Sequence, residues 1–234
     1  MKILHKGFNY SQDGPGNRLV YHLQGCNFAC KWCSNADSIP LENSNAKEYG
    51  INEIFDEIMR SRMMFFDGGG VTFTGGEVCV QADELAELLV LLKKNGINTA
   101  VETNASFLSL RKLAEYVDYL IVDLKHYDET EHIKWVGASN RSVKDNIEYF
   151  FSLGRQIHVR IPVVSGVNDN PCGFVEYLKQ FDTSNAVFEF LSYHEYGKDK
   201  WKGNYQIQNG FVSLETIKKF KDLFEKNGMK TVVT

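Results

Sequence analysis

Residues 18–33 read RLVYHLQGCNFACKWC, a β-rich octet running straight into three cysteines. Leu, Val, Tyr and Leu, broken only by single polar residues, mark 18–25 as a strand. The same unit, a short strand and then an amphipathic stretch, recurs outward along the chain. INEIFDEIMRSRMMF (51–65) carries apolar residues at helical spacing, and VTFTG (71–75) is a strand followed by a helix from about Gln81 to Asn95. INTAVETN then LSLRKLAEYV, DYLIVDLK then SVKDNIEYFFSLG, QIHVRIPVV then CGFVEYLKQF, and AVFEFLSY then SLETIKKFKDLFEKNG continue the alternation. Strands separated by helices run parallel, because the crossover excludes a hairpin. Six such units are too few to close an eight-unit barrel, and no Gly-x-Gly-x-x-Gly turn marks a dinucleotide fold. The expectation is an α/β fold, an open, partial (β/α)6 barrel of the TIM type, with residues 1–234 as one domain.

Composition narrows the function. Hydrophobic residues make up 43% and charged residues 24% of the 234, which is ordinary globular usage. A net charge of −4 argues against nucleic acid as a partner. No apolar run approaches the ~18 residues of a membrane span, and the first sixteen residues lack a signal peptide's apolar core. A cytoplasmic protein is expected. Five cysteines, three of them within 26–33, make a poor disulfide framework and suit metal in a reducing compartment.

Cys26, Cys30 and Cys33 form C-x3-C-x2-C directly after the first strand. An iron–sulfur cubane holds four irons on thiolates, so three local cysteines take three irons and leave one open. An open iron can chelate the amino and carboxylate groups of S-adenosylmethionine (SAM). A structural zinc site instead wants four ligands, usually in two pairs, and no second pair exists here. Trp32 reads either as a packing residue or as an aromatic wall for adenine, and Ser34 and Asn35 as turn residues or as polar contacts to that base.

Polar residues repeat at successive strand ends, where parallel α/β folds gather their chemistry. GGGVTFTGGE (68–77) brackets a strand with glycines that let backbone approach a ligand, and Glu77 follows Gly75 and Gly76. Glu102, Thr103 and Asn104 end the third strand, Asp123, Leu124 and Lys125 the fourth. Arg160 lies in the fifth and His194 just after the sixth. Singly, an Asp–Lys pair is worth at most ~1 kcal/mol on a surface, and a lone His is usually structural. Together, Glu77, Glu102, Asp123, Lys125 and Arg160 supply both signs of charge that a zwitterionic, cationic ligand needs. Cys79 and Cys172 read as packing residues. Asp13-Gly14-Pro15-Gly16 is a turn, and Lys198, Lys200 and Lys202 around Trp201 read as a solvated loop face.

These residues resemble the radical SAM superfamily and, within it, the activating enzymes of glycyl radical enzymes, nearest the pyruvate formate-lyase-activating group. The likeness rests on DGPGNR (13–18), QGCNFACKWCSN (24–35), GGGVTFTGGE (68–77), ETN (102–104), DLKH (123–126), VGASN (136–140), HVRIPVV (158–164) and YHEYGKDKW (193–201). It implies the radical SAM fold and one [4Fe–4S] cluster, because no cysteine-rich ferredoxin insert follows Cys33. It implies SAM contacts from Trp32, Cys33, Ser34, Gly76, Asp123, Leu124, Lys125 and His194, with Glu77, Thr103 and Arg160 nearby. It also implies a monovalent cation, sodium or potassium, held by Glu102 with Asp123, and Asp13 facing a glycine loop of the partner. The implied reaction takes an electron from flavodoxin or ferredoxin, cleaves SAM, and uses the 5′-deoxyadenosyl radical to remove Hα from a glycine of a glycyl radical enzyme. Ser34 stands where the family's best-known member has His, Val78 follows Gly-Gly-Glu where Ala is usual, and Glu102 and Ala105 replace Asp and Gly. Two rival readings are a radical SAM enzyme acting on a small molecule, such as a 7-carboxy-7-deazaguanine synthase, and a non-catalytic iron–sulfur electron carrier. The DGPG and YHE-x-GK-x-KW segments argue against the first, and the missing fourth ligand against the second.

Overall fold

A computed structural model describes residues 1–203 and 205–232. The six expected strands are present as β2 (Asn17–Leu23), β4 (Gly70–Gly75), β5 (Thr99–Thr103), β6 (Tyr119–Asp123), β7 (Ile157–Val163) and β8 (Ala186–Ser192). Three more join them: β1 (Lys2–Tyr10), β3 (Lys47–Glu48) and β9 (Lys230–Val232). The hydrogen-bonded order is β3-β1-β2-β4-β5-β6-β7-β8-β9, so among the described residues the sheet is unclosed, with edges at β3 and β9. β1 and β3 are the antiparallel additions, and β2–β4–β5 and β7–β8–β9 pair in parallel. β1 escaped the sequence reading because KILHKGFNY alternates poorly and is largely solvated, β3 pairing only with its first two residues, Lys2 and Ile3. β2, by contrast, is buried almost throughout, the mark of an interior parallel strand.

The helices follow the expected crossovers: α1 (Ile51–Arg60), α2 (Ala82–Lys94), α3 (Leu110–Leu113), α5 (Arg141–Ser152), α6 (Cys172–Leu178) and α7 (Leu214–Lys226). The stretch predicted over 51–65 breaks at Ser61, and residues 62–64 continue as a single 3-10 turn. One helix went unpredicted, α4 (Glu129–Val136), because ETEHIKWV offers few apolar residues. Its ends are nonetheless well marked. The Asp128 carboxylate accepts the Glu131 N–H at 2.9 Å, and Gly137 closes the helix at φ 84°, where a side chain would be strained.

The chain forms two compact units. The first takes residues 1–27, 37–103 and 107–121; the second takes 28–36, 104–106 and the chain from Val122 on, so β6 runs from one into the other. In the first unit Leu85, Leu88, Leu89 and Leu92 give α2 a fully buried face, and Tyr21 stacks on Phe73 with ring centres 5.6 Å apart. In the second, α7 lays Phe220 and Phe224 against Phe190 and Phe188 of β8, at centroid distances of 4.8–5.3 Å.

Candidate active site

The cysteine loop leaves the C-terminal end of β2, the end at which parallel strands present chemistry. Within the first unit, Gly25 turns at φ 99° and donates its N–H to Ser38 O at 2.8 Å, and Cys26 donates to Ile39 O at 3.1 Å. The glycines ending β4 make this turn possible. A Cβ on Gly76 would stand 2.1 Å from Gly25 O, and one on Gly75 2.4 Å from the Leu23 nitrogen. Gly76 donates to Leu23 O and Glu77 to Gly25 O, tying the Gly-Gly-Glu segment onto the residue before Cys26. The second glycine pair of GGGVTFTGG is therefore a close approach to the chain's own backbone.

Glu77 is fully buried. Its Oε1 accepts the Cys79 N–H at 3.0 Å and the Thr103 hydroxyl at 2.7 Å, so the carboxylate caps the 3-10 turn over 78–81 and binds the end of β5. Cys79 is buried beside it, and burial followed by Glu77 pushes its thiol well above the usual range. That is a packing thiol. Cys172, expected to pack as well, lies exposed at the start of α6. Glu102 is oriented by Thr74, whose hydroxyl donates to Oε2 at 2.8 Å. Asp13 sits at the other end of β2. Its carbonyl accepts from the Thr72 hydroxyl, and its carboxylate from the Asn9 amide.

In the second unit the loop continues through Phe28–Ala36, pinned by its own backbone. Ala29 donates to Val136 O at 2.9 Å and Lys31 to Trp135 O at 3.0 Å, both at the end of α4. Phe28 meets the His132 ring edge-on at 5.4 Å. Cys30 and Trp32 are buried and Cys33 is half-buried. No cysteine is in a disulfide. Lys125, at the end of β6, donates to Asp123 Oδ2 at 2.7 Å. Burial works to lower its pKa, but Asp123, Cys30 and Cys33 together raise it, so the ammonium stays charged.

Does a cubane fit this donor set? Among the described residues no three His, Cys, Asp or Glu side chains crowd around one point as a single ion requires. A cubane takes one thiolate per iron, which the three separate thiols of one loop can supply. The residues fit a cluster better than zinc.

Arg160 is placed differently from the sequence reading. Its Nε donates to Glu189 Oε2 at 2.6 Å, and His158 Nε2 lies 3.0 Å from the same oxygen, all three side chains being buried. Arg160 and Glu189 are register partners on β7 and β8. Glu189 was missed, though a lone acid within the apolar run AVFEFLSY was a signal. Asn168 was missed too. It is buried, donates to Lys125 O at 2.8 Å and Pro162 O at 2.7 Å, and accepts the Val164 N–H, fixing the loop after β6 to the end of β7. His194 follows β8 as expected, stacked on Tyr196 at 4.4 Å, with burial lowering its pKa.

One expectation is corrected outright. Residues 198–202 are not merely a solvated face. Trp201 Nε1 donates to Cys33 O at 3.0 Å, Lys200 Nζ donates to Asn35 Oδ1 at 2.9 Å, and a Cβ on Gly197 would stand 2.2 Å from Ser34 O.

The model of the radical SAM superfamily matches residues 20–178. A pyruvate formate-lyase-activating enzyme of Streptococcus mutans is 32% identical over 205 residues, covering 82% of this chain and 77% of that protein. The crystal structure of a domain of a pyruvate-formate lyase-activating enzyme from Bacteroides vulgatus superposes with a TM-score of 0.60 at 26% identity, covering 71% of this chain and 99% of that one. A radical SAM methyltransferase from Sphaerobacter thermophilus covers 98% of this chain and shares 72% of its own length at TM-score 0.68; at 16% identity it bears on the fold alone.

Proposed function

This chain belongs to the radical SAM superfamily, and within it to the family of pyruvate formate-lyase-activating enzymes, and we propose that its substrate is a glycine in a loop of a partner glycyl radical enzyme. The likeness to activating enzymes along most of the chain carries this reading. Cys26, Cys30 and Cys33 would hold a [4Fe–4S] cluster, which when bound would supply the one electron that cleaves SAM to methionine and a 5′-deoxyadenosyl radical able to take Hα from that glycine.

The protein's own residues orient and exclude rather than exchange protons. In our reading Asp123, Lys125 and His194 meet the polar groups of SAM, joined by Trp32, Ser34, Asn35 and Leu124. Glu77 and Glu189 act one step back, holding Thr103 and Arg160 in place. The reductant is flavodoxin or ferredoxin, the whole chain works as one cytoplasmic domain, and neither nucleic acid nor membrane takes part.

The test is isotopic. A peptide from the partner's radical loop, deuterated at the glycine α-carbon, is incubated anaerobically with reconstituted protein, reductant and SAM. Deuterium in the deoxyadenosine is expected. Deoxyadenosine without deuterium, from a partner that nonetheless becomes activated, contradicts the reading.

A further inference from the structure

We propose that residues 197–201 are a strap that sets the third cluster cysteine, with Trp201 and Lys200 as positioning residues. The inference rests on the cluster reading of Cys26, Cys30 and Cys33 and goes beyond it.

Three strap residues meet three consecutive loop residues, across more than 160 positions of sequence. Trp201 takes the Cys33 carbonyl, Gly197 lies flat on the Ser34 backbone, and Lys200 takes the Asn35 side chain. Cys33 also donates its N–H to Cys30 O at 3.0 Å. With the N–H and carbonyl of Cys33 both bound, the direction of its Cα–Cβ bond is fixed by the protein before any iron arrives. That is the preorganisation a cluster ligand needs.

The strap is itself rigid. Lys200 N–H donates to Gly197 O and Trp201 N–H to Lys198 O, forming one 3-10 turn. The indole stands edge-on to Tyr205 at 5.3 Å, and the Tyr193 hydroxyl donates to the Tyr205 hydroxyl at 2.9 Å, so the turn is anchored to the residue just after β8. Lys198 adds to this hold through its carbonyl and through its ammonium, which lies 5.5 Å over the Tyr205 ring. The same ammonium pairs with Glu195 at the surface.

The test compares Trp201→Phe, which keeps a ring and removes only the N–H, with Trp201→Ala, and Lys200→Met with Lys200→Arg. In cluster-loaded protein, transfer of iron to a ferrous chelator is followed by absorbance. One lost hydrogen bond predicts release roughly threefold to tenfold faster in Trp201→Phe, with a changed EPR signal for the reduced cluster. Lys200→Met should also release faster, and Lys200→Arg should recover the wild-type rate. Hydrogen–deuterium exchange over residues 30–36 should rise in Trp201→Phe even without iron. If Trp201→Phe matches wild type in release, EPR and exchange while Trp201→Ala is impaired, the ring only packs and the proposal is overturned. The partner enters none of these measurements. Wild-type protein that takes up no iron would overturn the cluster reading instead, and the exchange arm would still decide the strap.

Discussion

The two ends of β2 carry the two polar loops most characteristic of this chain, and they are held by different means. At the start, a buried charge ties the DGPG turn to the strands behind it, alongside the Thr72 and Asn9 bonds to Asp13. Arg18 is fully buried and donates to Thr72 Oγ1 at 2.7 Å, Val71 O at 2.8 Å, Asn98 Oδ1 at 3.0 Å and Pro15 O at 3.1 Å. Burial lowers its pKa to about 10, so it remains charged at neutral pH. Beyond the far end, the stretch 28–36 is held by many small contacts: backbone bonds to the end of α4, and the strap. A loop fixed around one buried charge is rigid but fails as a whole. A loop fixed at several points can lose one contact and keep its shape, which suits a segment whose cysteines must be both placed and accessible.

The largest expected effect tests the functional half of this contrast. Cys26→Ala, Cys30→Ala or Cys33→Ala should each abolish stable iron binding in reconstituted protein, while Cys79→Ala and Cys172→Ala retain it. Loss of iron from a normally folded Cys79→Ala would break the assignment.

Arg18→Met should cost roughly 3–5 kcal/mol in denaturant unfolding, because it strands several buried carbonyls and hydroxyls at once. If the cost is below about 1 kcal/mol, the turn is held by something other than Arg18.

Acid should act on the other side of the comparison. Burial pulls His132, under the loop at Phe28, down to about 4, and lowers His126 in the same direction. Their folded-state pKa values lie below the ordinary 6.5, so the unfolded chain binds more protons between the two values. Stability should therefore be complete above about pH 6.5 and fall towards pH 4, with His132 contributing on the order of 3 kcal/mol. Chemical denaturation across that window checks it, and His132→Asn should flatten the slope.

Asp123→Ala, Lys125→Ala and His194→Ala should weaken SAM binding about tenfold or more without loss of the cluster, as removing a charge-assisted contact of ~1.5–3 kcal/mol would. Unchanged affinity in all three would sink their assignment. The smallest effect concerns Ala105, which holds φ 57° where the family usually has Gly and whose carbonyl accepts from Asn146 at 2.8 Å. Ala105→Gly should raise stability by at most about 1 kcal/mol in the same unfolding assay.

How much of this could be read in the sequence depended on range. The six interior strands were legible because burial on both faces forces continuous apolar runs. β1, β3 and β9 were not, because strands at or next to a sheet edge are specified by their neighbours rather than by their own composition. C-x3-C-x2-C was legible because the ligands are local. Trp201 and Lys200 looked like a solvated loop, since nothing local says that an indole N–H will reach a carbonyl 168 residues away. Arg18, Arg160 and Glu189 share one trace, a charge inside an apolar strand. That trace reports a buried network without naming its members.

The most direct test of the central claim is an EPR titration of anaerobically reconstituted, reduced protein. The account predicts about four irons per chain and a signal that changes when SAM is added, because one iron of a three-cysteine cluster remains open to it. A full cluster whose signal is indifferent to saturating SAM would contradict it.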